Sequence, residues 1–210
     1  MTGERERERS RGEGNDNNSE YRPEIDISPE LNTSDAAYHQ SLIGILQWMV
    51  ELGRVNITTE VSMLLSCLAL PREGHLKQLF QMFLYLEKQH NSEMVFDHTL
   101  PDIDYLDFPK QDWDNTVYAN ERGELKEDVP KNLPTPLGKG FTMQVFVDSD
   151  HAGDQVTRRS CMGFLVYLNN ALIYWCSKKQ TTVETSSFGS EFMAMKHATE
   201  YVRGLRYKLR

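Results

Sequence analysis

Apolar residues in the first half of the chain recur every three or four positions, the spacing of amphipathic helices. Asp35 is suited to cap a first helix and Gly53 to end it. Thr58 or Thr59 is suited to cap a second helix, which runs to Pro71. The three apolar stripes are Leu42, Ile43, Leu46, Met49 and Val50; Val61, Leu64, Leu65 and Leu68; and Leu76, Leu79, Phe80, Phe83, Leu84 and Leu86. Three helices with short connections predict a small bundle.

The pattern changes after residue 140, where short apolar runs alternate with turn residues. The runs are Phe141–Val147, Cys161–Leu168 and Ala171–Cys176, and Asn169-Asn170 separates the last two. Such runs predict a three-stranded antiparallel sheet. A helix from about Ser187 is expected to pack on one face. The predicted fold class is therefore α/β of the α+β kind, a helical bundle followed by a β-β-β-α unit.

Two stretches lack any apolar period and divide the chain into four segments. Residues 1–35 are predicted to be a disordered charged tail, because they are rich in Glu, Arg, Gly and Asn and cannot bury a core. Residues 98–140 are rich in Asp, Pro and Gly and are predicted to be an acidic, proline-rich linker. Their aspartates lack the glycine turn and closing glutamate of an EF-hand, which argues against a calcium site. Residues 36–97 form the helical segment and 141–210 the β-β-β-α segment.

Charge is distributed unevenly along the chain, whose net charge is −8. Residues 91–130 hold eleven Asp/Glu against three Lys/Arg, whereas residues 151–210 hold nine Lys/Arg against four Asp/Glu. The acidic balance argues against a free-standing nucleic-acid-binding protein. Contact with a polyanion is therefore expected only in the C-terminal third, where a solvated helix face is an equally good explanation of the charge.

Cysteine usage and hydropathy bear on the compartment. The three cysteines lie in apolar runs without CxxC spacing, which favours buried free thiols and a reducing environment. The N-terminus lacks the apolar core of a signal peptide, and no apolar stretch is long enough to span a bilayer. We expect an intracellular protein, cytoplasmic or nuclear, with no membrane partner.

Four short motifs follow one another in the β-β-β-α segment. They are Asp-x-Asp-x-Ala-Gly-Asp (148–154), Arg-Arg-Ser-x-x-Gly (158–163), Trp-x-Ser-Lys-Lys-Gln (175–180) and Val-x-x-Ser-Ser-x-x-x-Glu-Phe-x-Ala (183–194). Their order and spacing resemble the start of the ribonuclease H domain of copia-type retrotransposon polyproteins. The resemblance extends back to about Tyr38, where the helical segment is similar to the thumb and connection of the reverse transcriptase.

The resemblance implies a chemistry, the metal-dependent hydrolysis of RNA in an RNA–DNA hybrid. It makes Asp148 and Glu191 the catalytic carboxylates, which with Asp150 would hold Mg²⁺ or, alternatively, Mn²⁺. Asp150 and Asp154 are weaker candidates than Asp148, because Asp in such Asp-Ser-Asp and Gly-Asp clusters commonly forms turns. Ser186 and Ser187 are expected to cap a helix rather than to act as nucleophiles. The implied partners are the hybrid and the rest of the polyprotein.

Four basic residues are candidates for contact with hybrid phosphates: Arg158, Arg159, Lys178 and Lys179. Their charge explains equally well a strand edge that resists pairing with another sheet.

The resemblance also implies parts that lie outside this sequence. The family's site uses four carboxylates, of which the third and fourth lie downstream of the helix that holds Glu191, and its polymerase palm lies upstream. We therefore expect a polyprotein fragment without ribonuclease H activity on its own. The alternatives are a non-catalytic remnant or interaction module that lacks activity, and an unrelated α/β interaction domain.

Overall fold

The computed structural model of the chain describes residues 21–103, 131–132, 135, 138 and 140–209. The regular elements within these residues are α1 (Thr33–Glu51), α2 (Thr58–Leu65), α3 (Glu73–Lys88), β1 (Met143–Asp150), β2 (Cys161–Leu168), β3 (Ala171–Lys179) and α4 (Ser187–Leu209). The mixed α/β class predicted from the sequence is confirmed. No helix within the described ranges is both long and apolar enough to cross a membrane.

Helices α1, α2 and α3 share one hydrophobic core. Its buried members are Leu42, Ile43, Leu46, Val50, Ile57, Val61, Leu64, Leu79, Met82 and Leu86. Two of the predicted helix starts were wrong. Asn32 caps α1, because its side-chain oxygen accepts the Asp35 amide at 2.9 Å, and Thr58 is the first residue of α2 rather than its cap. Gly53 follows the end of α1 at φ 115°, a conformation that favours glycine.

The three strands form an antiparallel sheet in the order β1-β2-β3, as predicted. Val147 pairs with Phe164, and Phe164 pairs with Cys176. The β2–β3 turn is Asn169-Asn170, in which Asn169 adopts φ 55°. Asparagine tolerates this left-handed conformation better than most residues, which explains why it occupies the turn.

Each face of the sheet is covered by a different layer. On one face Val145, Phe164 and Val166 pack against Ala198 and its neighbours on α4. On the other face Trp175 packs against the helical core. The sheet therefore lies between the three-helix unit and α4.

Residues 21–32, which we call the N-terminal strap, run across the start of α3. The Leu31 amide donates to the Pro71 carbonyl and the Glu73 amide to the Pro29 carbonyl, both at 3.0 Å. The Arg72 guanidinium donates to the Ser28 carbonyl at 2.6 Å. Backbone groups of the strap, which lies within the predicted tail, therefore bond to a folded helix end, and the division of the chain into four segments stays a prediction. Residues 1–20 and most of the predicted linker lie outside the described residues.

Candidate functional site

Asp148 and Asp150 lie together at the end of edge strand β1. Both are exposed, and Asp148 pairs with Gly163 of β2. Side chains alternate between the faces of a strand, so these two point to the same face as Phe146. That face is opposite to the one through which Val145 and Val147 contact the α4 layer. One Asp148 carboxylate oxygen accepts the Ser149 amide at 2.9 Å.

The two aspartates border an open groove of about 380 Å³ between the sheet and the start of α2. Thr58 and Thr59 line it from α2, and Trp175 and Ser177 from β3. The groove is therefore shared by the two halves of the molecule.

Glu191 lies near the start of α4 and is half-buried. The residues of this helix end that face the sheet are Ser190, Ala194 and Ala198, all buried. Phe192 and Met195, two large apolar residues close to Glu191 on the same helix, are instead 57% and 58% exposed. Among the described residues no three His, Cys, Asp or Glu side chains come together as a metal-binding group. The structure thus places Asp148 and Asp150 on one face of β1 and does not gather Glu191 with them into a metal-binding group.

Asp154 serves the turn that follows β1, residues 151–159. Its buried carboxylate accepts the Val156 and Thr157 amides at 3.0 and 2.6 Å and pairs with the Lys179 ammonium. Burial alone would raise the pKa of Asp154, but the bonds from Lys179 and Thr157 outweigh it and hold the pKa to about 2. Asp154 therefore stabilises the turn as an anion at neutral pH.

The predicted phosphate contacts differ in their surroundings. Lys179 is engaged by Asp154 and also reaches the Ser66 hydroxyl at 3.4 Å. Arg158, Arg159 and Lys178 are exposed. The structure therefore leaves these three cations facing solvent and gives Lys179 a structural bond.

Two motif residues that had no predicted role join the turn to α4. The buried Ser160 hydroxyl accepts the Ala152 amide at 3.0 Å. The buried Gln180 side chain donates to the Ser190 carbonyl at 2.9 Å. The backbone amide of Gln180 donates to the Ser160 carbonyl at 2.8 Å. Ser186 accepts the Gly189 amide at 3.2 Å, as expected of a helix cap. Several residues of the four motifs therefore form hydrogen bonds that hold the turn and the start of α4 in place.

The pair of aspartates fits a magnesium ion chemically. Mg²⁺ prefers hard oxygen ligands and is commonly bound by one or two carboxylates, with water and substrate phosphates completing its coordination. Asp148 and Asp150 supply two such carboxylates on one exposed strand face. Asp154 does not fit this role, because its oxygens are already occupied.

Comparison with known proteins gives the context for this geometry. No family model matches the chain, and no solved structure does. The chain is 23% identical over 173 residues to a retrovirus-related Pol polyprotein from transposon RE1 of Arabidopsis thaliana, a match that covers 82% of this chain and 9% of that polyprotein.

Two shorter matches each cover 55 residues, or 26% of the chain. One is to the uncharacterized mitochondrial protein AtMg00810 of Arabidopsis thaliana, at 45% identity over 23% of its length. The other is to secreted RxLR effector protein 161 of Plasmopara viticola, at 47% identity over 39% of its length. In each comparison the chain spans well under half of the relative.

This mixed α/β chain, with two aspartates at a strand end, is thus similar over most of its length to a retrotransposon Pol polyprotein. The similarity confirms the recognition made from the four motifs, since the matches are consistent with a fragment of a copia-type retrotransposon polyprotein.

Proposed function

We propose that the β-β-β-α segment supplies carboxylates to the metal-dependent hydrolysis of RNA in RNA–DNA hybrids. The observation that supports this most directly is the pair Asp148 and Asp150, which share the exposed face of β1 beside the groove. The relationship to a Pol polyprotein supports the same class of reaction. The matches do not favour the alternative of a non-catalytic interaction module.

Each group of the site has a distinct task in this proposal. Asp148 and Asp150 would hold Mg²⁺, which when bound would polarise the phosphate and favour a hydroxide nucleophile. The Ser149 amide bonds one Asp148 oxygen and so fixes the orientation of that carboxylate. Arg158, Arg159 and Lys178 attract the phosphates of the hybrid, because exposed cations raise the local concentration of a polyanion.

Glu191 enters the proposal through the resemblance alone. Its position on α4 is half-buried and separate from the face that carries Asp148. Its contribution is therefore tested separately from that of the two aspartates.

The experiment is a Mn²⁺ titration of the full chain followed by nuclear magnetic resonance, in which the paramagnetic ion broadens signals near its site. We expect broadening centred on residues 148–150, reversed by excess Mg²⁺ and strongly weakened in Asp148→Asn and Asp150→Asn. Asp102→Asn removes an equally exposed carboxylate elsewhere and is the matched control. Glu191→Gln shows whether that side chain shares the ion.

The nucleic-acid part of the proposal is tested with a labelled RNA–DNA hybrid and a duplex DNA of the same sequence. Metal-dependent binding of the hybrid that falls in Arg158→Ala/Arg159→Ala supports it. Broadening that is scattered over all exposed acids, together with equal binding of both duplexes, would exclude the proposed site.

A further inference from the structure

We propose that the N-terminal strap positions the 151–159 turn beside the paired aspartates and that Arg22 is the positioning residue. The inference rests on the proposed function only in its last step, where the turn borders the proposed metal site. Its structural steps depend on contacts between the strap, α3 and the turn.

The strap is first fixed to the start of α3. The Asp26 carboxylate lies directly against Gly74, where an added Cβ would come within 1.7 Å of a carboxylate oxygen. The Gly74 amide donates to the Ser28 hydroxyl at 2.8 Å. The His75 ring accepts the Arg72 amide at Nδ1, which leaves Nε2–H to donate to the Pro23 carbonyl at 2.9 Å. These bonds give residues 23–28 a rigid base.

The strap then reaches the turn from that base. The Arg22 guanidinium donates to the Gly153 carbonyl at 3.1 Å, a contact between residues 131 positions apart. Glu24, whose side chain is only 10% exposed, lies 3.8 Å from the Arg22 guanidinium. Glu24 also accepts the Gln155 amide at 3.5 Å. Arg22 and Glu24 therefore bond to the two neighbours of Asp154 in the chain, Gly153 and Gln155.

Gly153 connects this contact to the aspartates. A Cβ added to Gly153 would lie 1.7 Å from an Asp150 carboxylate oxygen, so the backbone of Gly153 packs against that carboxylate. Any displacement of Gly153 therefore changes the space in which Asp150 can turn. Arg22, which holds the Gly153 carbonyl, consequently limits the positions that Asp150 can adopt.

An alternative explanation is that hydrogen bonds within the turn are enough to fix its conformation. Asp154 alone bonds two amides of the turn, and the Arg158 amide donates to the Asp154 carbonyl at 2.8 Å. If these bonds were sufficient, removing Arg22 would leave the turn unchanged. The two explanations therefore differ in one measurable quantity, the opening of the turn in an Arg22 variant.

The experiment is amide hydrogen exchange of the full chain with Arg22→Ala, Arg22→Lys and Arg54→Ala. Arg54 is the matched control, because its guanidinium also donates to a main-chain carbonyl, that of Gln89, at 2.9 Å. We expect the amides of residues 153–157 to exchange about fivefold faster in Arg22→Ala, the effect of one lost hydrogen bond. Arg22→Lys should recover much of the protection.

Core amides of α3 serve as the internal reference. If they accelerate as much as the turn, the variant has loosened the whole fold, and Glu24→Gln then provides the decisive comparison. Exchange in the turn that is no faster in Arg22→Ala and Glu24→Gln than in Arg54→Ala would overturn the proposal.

A Mn²⁺ titration of Arg22→Ala separates this inference from the proposed function. Faster exchange with weaker Mn²⁺ binding supports both. Faster exchange in a chain whose unmodified form binds no Mn²⁺ at residues 148–150 supports the role of the strap and counts against the metal site.

Discussion

Polar side chains that are buried in this molecule differ in how their hydrogen-bonding groups are satisfied. Asp154 is 4% exposed and has two amides and an ammonium as partners. His39 is fully buried in the helical unit, and neither ring nitrogen has a hydrogen-bond partner among the described residues. Because an unsatisfied buried polar group costs free energy, the two residues should respond in opposite ways to substitution.

Asp154→Asn is expected to lower the free energy of unfolding at pH 7 by about 2 kcal/mol, because the neutral amide loses the ion pair with Lys179. The pKa of Asp154 is depressed from 3.8 to about 2 in the folded chain. Its stabilisation is therefore complete above about pH 4 and is lost as the pH falls towards 2. Urea unfolding at pH 7, 4 and 2.5 measures this, and a variant that keeps the unmodified chain's acid-induced loss would contradict it.

His39→Leu is expected to stabilise the chain by about 1 kcal/mol, since it replaces an unsatisfied imidazole with an apolar side chain of similar size. Burial and the neighbouring His75, whose ring centroid is 6.3 Å away, lower the pKa of His39 below 6.5. The unfolded chain then binds more protons, so His39 destabilises the fold progressively as the pH falls below 6.5.

The pH dependence of stability distinguishes the contribution of His39 from that of His75. Burial would lower the pKa of His75, but Cys67, the Pro23 carbonyl and Asp26 raise it overall, so its stabilising contribution is lost only above pH 6.5. The melting temperature should depend less on pH between pH 5 and 7 in His39→Leu than in the unmodified chain. An unchanged slope below pH 6.5 would refute the assignment to His39.

At the scale of elements, the apolar period predicted helices and strands well and the faces of β1 poorly. The three-residue run Val145-Phe146-Val147 is apolar on both sides of the strand, so the pattern does not indicate which side receives α4. The structure places Val145 and Val147 on the α4 side and leaves Phe146 59% exposed. That Asp148 and Asp150 lie on one face of β1 follows from their spacing in the sequence. That Glu191 lies on the other side of the sheet depends on which face α4 packs against.

The strap was not recognised from the sequence for a related reason. The strap has no apolar period, and only Pro23–Ile25 form a 3₁₀ turn. No local sequence pattern therefore indicates that it is ordered. Its order comes from bonds to residues that are distant in sequence, such as those between Ser28 and the start of α3. Glycines that admit such close contacts can be identified only once the two segments are seen together.

Two helical glycines provide a matched test of this packing. Gly44 in α1 has no atom within 4 Å of an added Cβ, whereas Gly74 in α3 faces the Asp26 carboxylate at 1.7 Å. Gly44→Ala should raise the free energy of unfolding by about 0.5–1 kcal/mol, since alanine favours the helix. Gly74→Ala should lower it, because the strap must move away. Chemical denaturation of both variants decides, and equal stabilisation by the two would show that the strap does not pack against α3.

At the scale of the whole molecule, the sheet connects the helical unit to the candidate site. Trp175 packs against the helical core while Cys176, the next residue of β3, packs on the α4 side. Lys179 links the end of β3 to Asp154 of the turn and to Ser66 beyond α2. The groove beside Asp148 therefore depends on the helical unit as well as on the strands that form its floor.

We expect the 210-residue chain to show no appreciable cleavage of an RNA–DNA hybrid at millimolar Mg²⁺ or Mn²⁺. Two-metal hydrolysis requires several carboxylates around ions about 3.5–4 Å apart. The described residues bring no three potential ligands together, and Asp148 and Asp150 alone provide too little negative charge for two divalent ions. Purified chain, labelled hybrid and Asp148→Asn as control constitute the assay. Cleavage that disappears in Asp148→Asn would show that Glu191 moves to join the pair or that a second chain completes the site.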